Sequence, residues 1–109
     1  MSERIPGYSQ NQMIALWQDW VKKKFRRTQQ KVRFNGKTRN IFTDGKDLFV
    51  LDEYHGDLEV LDEDAKHLGT NEIDVDYVEK EENGKKKIIV KSLSLGKYKP
   101  GGKHKYEFV

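Results

Sequence analysis

Apolar residues change their spacing once along this chain, and the change separates two kinds of structure. Met13, Leu16, Trp17, Trp20 and the aliphatic stem of Lys24 recur every three or four residues up to about Arg27, with Ser9 or Asn11 placed to cap the first turn. That spacing predicts an amphipathic helix whose stripe, the two tryptophans included, packs into the core. After Thr28 the period falls to two. Lys31 to Phe34 alternates, Asn35-Gly36 turns, Arg39 to Thr43 runs on, Asp44-Gly45 turns again, and Asp47 to Leu51 is rich in β-formers. Leu58 to Leu61 and Ile73 to Glu79 continue the pattern, Asn83-Gly84 is a strong hairpin signal into Lys86 to Leu95, and Lys103 to Val109 closes the sheet after Pro100-Gly101-Gly102. The predicted architecture is α+β: an N-terminal amphipathic helix followed by a highly twisted antiparallel β-sheet of five to seven strands.

The chain's 109 residues, 35% of them hydrophobic, suit a single domain with one modest core, divided into a helical segment over residues 1–28 and a sheet over 31–109. A charged fraction of 36% and a mean hydropathy of -0.93 require a heavily ionic surface, while 11% aromatic residues exceed what a chain that never packs would carry. There is no cysteine, and His55, His67 and His104 are too dispersed to suggest zinc, so neither a metal nor a cofactor is expected. The amino terminus lacks an apolar leader, and no apolar run approaches the ~20 residues that span a bilayer, so no export signal, anchor or membrane partner is expected.

Charge is segregated along the chain. Lys22 to Arg39 holds nine lysines and arginines without an acid, Lys85 to Lys105 holds eight lysines without an acid, and Asp52 to Asp64 holds seven carboxylates. Basic blocks suit a polyphosphate, whose counterions are released on binding, but the acidic block between them would repel that ligand unless it had another task. Catalysis, or docking of a basic partner, would be such a task.

Within the acidic block, Asp52, His55 and Glu59 fall around one predicted turn. Residues two apart on a strand share a face, and a tight turn brings its strands about 5 Å apart, so the three groups can converge. RNA cleavage without a metal needs a base for the 2′-hydroxyl proton, an acid for the departing 5′-oxygen and a cation for the phosphorane. Glu59 as base, His55 as acid and Asp52 as the residue that orients and charges the imidazole meet the first two needs; the reverse assignment, with His55 as base, fits the sequence as well. Tyr54 and Phe34 fit two parts equally, stacking on an unpaired base or covering the sheet, and Tyr54 is the candidate substrate contact. Lys31, Arg33, Lys37, Arg39, Lys97, Lys99 and Lys105 are candidate phosphate contacts. His67, before a glycine, reads as a structural hydrogen-bond donor.

The run Leu51 to Glu59, followed by Asp62, Lys66-His67-Leu68-Gly69 and Asp74, resembles the cytotoxic ribonuclease domain of the ribosome-inactivating E-group colicins and cloacin. The shared pattern is an Asp, two variable residues, His-Gly, an acid, Leu-Glu and, about eight residues on, His-Leu-Gly; about twenty residues carry it. The resemblance implies that Asp52, His55 and Glu59 are catalytic in an endoribonuclease that severs 16S ribosomal RNA at the decoding centre of the 30S subunit. It further implies a cognate acidic immunity protein, action in the cytoplasm of a target bacterium after delivery from a producing cell, and no DNA substrate. The family also uses an arginine near the C-terminus, whereas this chain has none after Arg39; the lysine matching that position is Lys103, which offers a point charge in place of a planar fork. Two other functions fit the charge pattern: a noncatalytic RNA- or ribosome-binding module, and an antitoxin-type inhibitor that docks its acidic stretch on a basic protein.

Overall fold

The computed structural model describes residues 4–109. The expectation about an apolar leader falls partly on residues 1–3, which lie outside the described residues. Helix α1 (Gln10–Lys24) starts at Ser9, whose hydroxyl accepts from the Gln12 N–H at 3.1 Å while the Gln12 side chain accepts from the Ser9 N–H at 2.8 Å, a complete capping box. Lys22, Lys23 and Lys24 occupy its last turn, where cations complement the helix dipole. The helix ends earlier than Arg27 because Phe25 turns into extended backbone and packs its ring 4.7 Å from that of Phe49 and edge-on to Trp20. Arg26 and Arg27 therefore open the first strand instead of closing the helix.

Seven strands follow: β1 (Arg26–Phe34), β2 (Lys37–Thr43), β3 (Leu48–Asp52), β4 (Asp57–Leu61), β5 (His67–Glu82), β6 (Lys85–Pro100) and β7 (Glu107–Phe108). They form one open antiparallel sheet in the order β6-β5-β4-β3-β2-β1-β7, so the chain meanders across it and only β7 returns to the far edge. Asn35-Gly36 and Asn83-Gly84 take positive φ at both central positions, the geometry of two-residue hairpin turns. β5 and β6 are sixteen residues each, far longer than the alternation suggested, because backbone pairing runs on through polar stretches at both ends, up to the Asn83-Gly84 turn; two register shifts interrupt the ladder, between Asn71 and Ile73 and between Asp76 and Tyr77. The last strand is shorter than the predicted Lys103 to Val109.

The sheet buries apolar residues on both faces. One carries Phe42, Phe49, Leu51, Leu58, Val60, Ile73 and Val75, and α1 lays Met13, Trp17 and Val21 on them, all three with no solvent exposure. The other carries a smaller cluster, Val32, Phe34, Ile41, Val50, Leu61 and Ala65, with Tyr106 packed against it. The segment between β6 and β7 crosses this second face as a strap: His104 O accepts from the His67 N–H, Tyr106 N–H donates to Ala65 O, and β7 then pairs with β1 at Val32 and Arg33. Gly102 is required where the strap leaves β6, since a Cβ there would overlap the His67 backbone. Among the described residues no helix is long and apolar enough to cross a membrane.

Candidate active site

The turn between β3 and β4 is built by one carboxylate. Asp52, the last residue of β3 and buried, accepts at Oδ1 from the backbone N–H groups of Tyr54 (3.0 Å) and His55 (3.3 Å), and its carbonyl accepts from Gly56 N–H at 2.7 Å. The other carboxylate oxygen, Oδ2, lies 2.9 Å from His55 Nδ1. A single side chain thus folds the turn and orients the imidazole, leaving Nε2 as the nitrogen presented to a ligand. Tyr54 is 74% exposed and meets the His55 ring edge-on at 4.8 Å.

Helix α1 braces this turn from the opposite face. Gly56 has φ +72°, and a Cβ at that position would overlap the Trp17 indole. Gln10 donates to the Glu53 carbonyl at 2.9 Å and Gln18 to the Glu53 carboxylate at 2.8 Å. The His55-Gly56 step is therefore fixed by both its own Asp52 and a buried tryptophan from the helix.

Glu59 sits at the centre of β4, opposite Val50 on β3 and Thr70 on β5, and is 8% exposed. Thr70 Oγ1 donates to its Oε2 at 3.0 Å, and His67 Nε2 approaches the same oxygen to 2.5 Å while also facing the Gly69 carbonyl at 2.9 Å. Both neighbours meet Oε2, so Oε1 keeps its acceptor capacity. Burial pushes the Glu59 carboxyl above the ordinary range; the Thr70 hydrogen bond and His67 oppose this, and the nearby Asp52 and Asp57 charges reinforce it. His67 and Thr70, three apart, would face opposite sides of a regular strand. The bulge at Leu68, where β5 runs two residues against one on β4, brings them to one side. His67 Nδ1 is buried without a partner.

These groups line one open cleft of about 520 Å³ on the face opposite α1. Asp52, His55, Glu59, His67 and Thr70 line it together with Phe34, Asn35, His104, Lys105 and Tyr106. The Tyr106 phenol is pushed up to about 12, first by burial and then by the Glu59 and Asp52 charges, so it stays a neutral donor beside two carboxylates. Among the described residues no group of three or more His, Asp or Glu is arranged to hold a metal ion.

The remaining candidates divide. Lys105 lines the cleft; Lys103 is exposed in the strap and does not. Lys37 pairs with Phe34 and Lys99 with Thr70, which puts both on the cleft side, Lys99 held by Glu72 at 3.1 Å. Lys31 and Arg33 alternate with Val32 and Phe34, so their side chains leave the sheet on the opposite side. Arg39 pairs with Glu53 at 3.0 Å and lines a separate cleft of about 170 Å³ beside α1. Lys97 is exposed beside a bulge in β6, away from the cleft lining. Sequence reasoning missed Asn35, Thr70 and Tyr106 and gave His67 a purely structural part. The only local signal for any of them was the histidine ahead of Leu68-Gly69.

Comparison with protein families, curated proteins and solved structures returns no match for this chain.

Proposed function

We propose that this chain is a toxin-type endoribonuclease that cleaves RNA by general acid–base catalysis in the cleft of Asp52, His55 and Glu59. The observation that carries this reading is the pairing, in one cleft, of an imidazole oriented by a carboxylate with a second, buried carboxylate whose proton affinity is raised toward that of a useful base. Glu59 takes the proton of a ribose 2′-hydroxyl as O2′ forms a bond to phosphorus. The bond from phosphorus to the 5′-oxygen breaks, and His55 gives that oxygen its proton from Nε2, leaving a 2′,3′-cyclic phosphate and a free 5′-hydroxyl. Asp52 holds the ring through Nδ1, and Thr70 and His67 fix Glu59.

Lys105 takes the electrostatic role in preference to Lys103, because it is the lysine that lines the cleft. Tyr54, exposed beside His55, is the surface on which a flanking base stacks. The resemblance of residues 51–74 to the colicin ribonuclease domain extends this reading to 16S ribosomal RNA in the 30S subunit, with an acidic immunity protein as the natural inhibitor.

The test is to incubate purified ribosomes with the protein and with His55→Ala and Glu59→Ala, then map fragments by primer extension. The expected result is one discrete scission, slowed roughly 10²- to 10⁴-fold in either variant. Lys105→Ala should slow cleavage more than Lys103→Ala. Absence of scission by the wild type, or equal cutting by the variants, would overturn the assignment.

A further inference from the structure

β4 leaves β5 at the Asp57–Glu72 pair, and from Ile73 onward β5 and β6 continue alone as a two-stranded arm that gives the molecule a long axis of 53 Å against 24 and 23 Å. The register sorts the arm's side chains. Thr70, which touches Glu59, starts the even-numbered side of β5; Ile73, Val75 and Tyr77 face the core under α1. At the tip, the cleft side of the ribbon carries Lys80 opposite Lys87 and Glu82 opposite Lys85, while the reverse side carries Glu79 opposite Ile88 and Glu81 opposite Lys86. Three lysines against one glutamate on one side, and two glutamates against one lysine on the other, make the tip electrically two-faced.

The Lys80–Lys87 pair is the telling one. Like charges directly opposite on neighbouring strands repel, whereas the two rungs nearer the turn, Glu81–Lys86 and Glu82–Lys85, are complementary. Both lysines are exposed, and neither takes part in an ion pair among the described residues. The middle of the same side, Asp74 and Asp76 opposite Ser94 and Ser92, is no phosphate surface. Lys80 lies ten residues beyond Thr70, about 33 Å at the usual rise of a strand.

We propose that the cleft side of the arm's tip is a second RNA-docking surface, gripping the phosphate backbone of a folded RNA about 30 Å from the scission site. The inference rests on the ribonuclease reading and sets its substrate class: a structured RNA large enough to reach cleft and tip together, with the acidic stretch bridged and not touched.

The experiment compares wild type with Lys80→Glu/Lys87→Glu on intact 30S subunits and on a single-stranded tetranucleotide too short to reach the tip. Direct binding to 30S subunits is followed across a salt series. The expected result is a loss of about tenfold or more in kcat/KM on 30S subunits, a salt slope shallower by roughly 1.5 for the two phosphate contacts removed, and unchanged tetranucleotide cleavage, with Lys80→Arg/Lys87→Arg behaving as wild type. Unchanged 30S cleavage, or equal losses on both substrates, would overturn the proposal. So would a variant whose sole defect is release from an acidic protein inhibitor, since the tip would then be a protein-docking surface. If the wild type cuts neither substrate the ribonuclease reading fails, and the 30S binding curves still decide: weaker, less salt-dependent binding by the variant supports the tip contact, and identical curves refute it.

Discussion

The two faces of this sheet are built to opposite rules. Under α1 the helix stripe meets a cluster of twelve buried apolar residues, its own included, and Met13, Trp17 and Val21 are wholly buried. Across the sheet, a few ångströms away, the apolar cluster is half that size and gives way to Asp52, Asp57 and Glu59, buried carboxylates on neighbouring strands. Burying apolar area stabilises by roughly 25 cal/mol per Å², whereas burying like charges side by side costs free energy unless hydrogen bonds answer them. The helix face supplies the stability that the cleft face consumes, which is the arrangement expected where a site must hold charge in low dielectric.

The sharpest way to break the comparison is to remove the keystone of the helix face. Trp17→Ala takes away the largest fully buried side chain of the molecule. Large aromatic truncations of this kind cost about 3–5 kcal/mol, measurable by urea denaturation. If the helix were an accessory with little part in the core, the loss would stay under about 1 kcal/mol, and the contrast between the faces would not hold.

A second substitution tests whether the faces are coupled. In Gly56→Ala the new methyl meets the Trp17 indole and the residue must keep a positive φ. Overpacking of a buried site typically costs about 1–3 kcal/mol, and the displaced turn carries His55 with it. The expected outcome is a loss of both stability and cleavage, with Trp17→Phe in the same chain restoring part of each. Cleavage lost with stability intact would mean that the turn is held by Asp52 alone.

The helix face was legible in the sequence and the cleft face only partly so, for a definable reason. Met13, Leu16, Trp17 and Trp20 of the helix stripe and the hairpin turns at Asn35-Gly36 and Asn83-Gly84 are local patterns, fixed by 3.6-residue periodicity and by backbone conformations that few residues tolerate; the stripe's last member is corrected, since Lys24 is exposed and Val21 is the buried residue of that turn. Asp52 and His55 were readable for the same reason, since their contact spans three residues. Glu59 reaches the cleft by strand alternation, also a short-range rule. His67, Thr70 and Tyr106 arrive by other means: a bulge that reverses the parity of β5, and a strap whose landing place is set by Ala65, His67 and β1. Neither leaves a mark at its own position in the sequence. The same holds for the cation. The resemblance matched the family's arginine to Lys103, with Lys105 read only as a phosphate contact, yet the strap's crossing puts Lys105 at the cleft.

The smallest effect is the most specific to the cleft face. Because burial raises the Glu59 carboxyl above its ordinary range, the folded protein holds this proton at pH values where the unfolded chain has released it. The group's contribution is therefore most favourable in acid and is lost as the pH rises through the raised value, the reverse of Asp44, which is lowered by backbone hydrogen bonds from Asp47 and Lys46 and loses its contribution on acidification. Glu59→Gln keeps an oxygen for Thr70 and removes the buried charge. It should raise Tm at neutral pH, and the gain should shrink as the pH falls toward the acid range in which wild-type Glu59 is itself neutral. The stabilised variant should at the same time be inactive in RNA cleavage, since an amide takes no proton from a 2′-hydroxyl. A variant that is less stable at neutral pH, or whose advantage grows in acid, would mean that the bonds from Thr70 and the contact with His67 outweigh the cost of burying the carboxylate, and that the cleft face is as self-sufficient as the face beneath the helix.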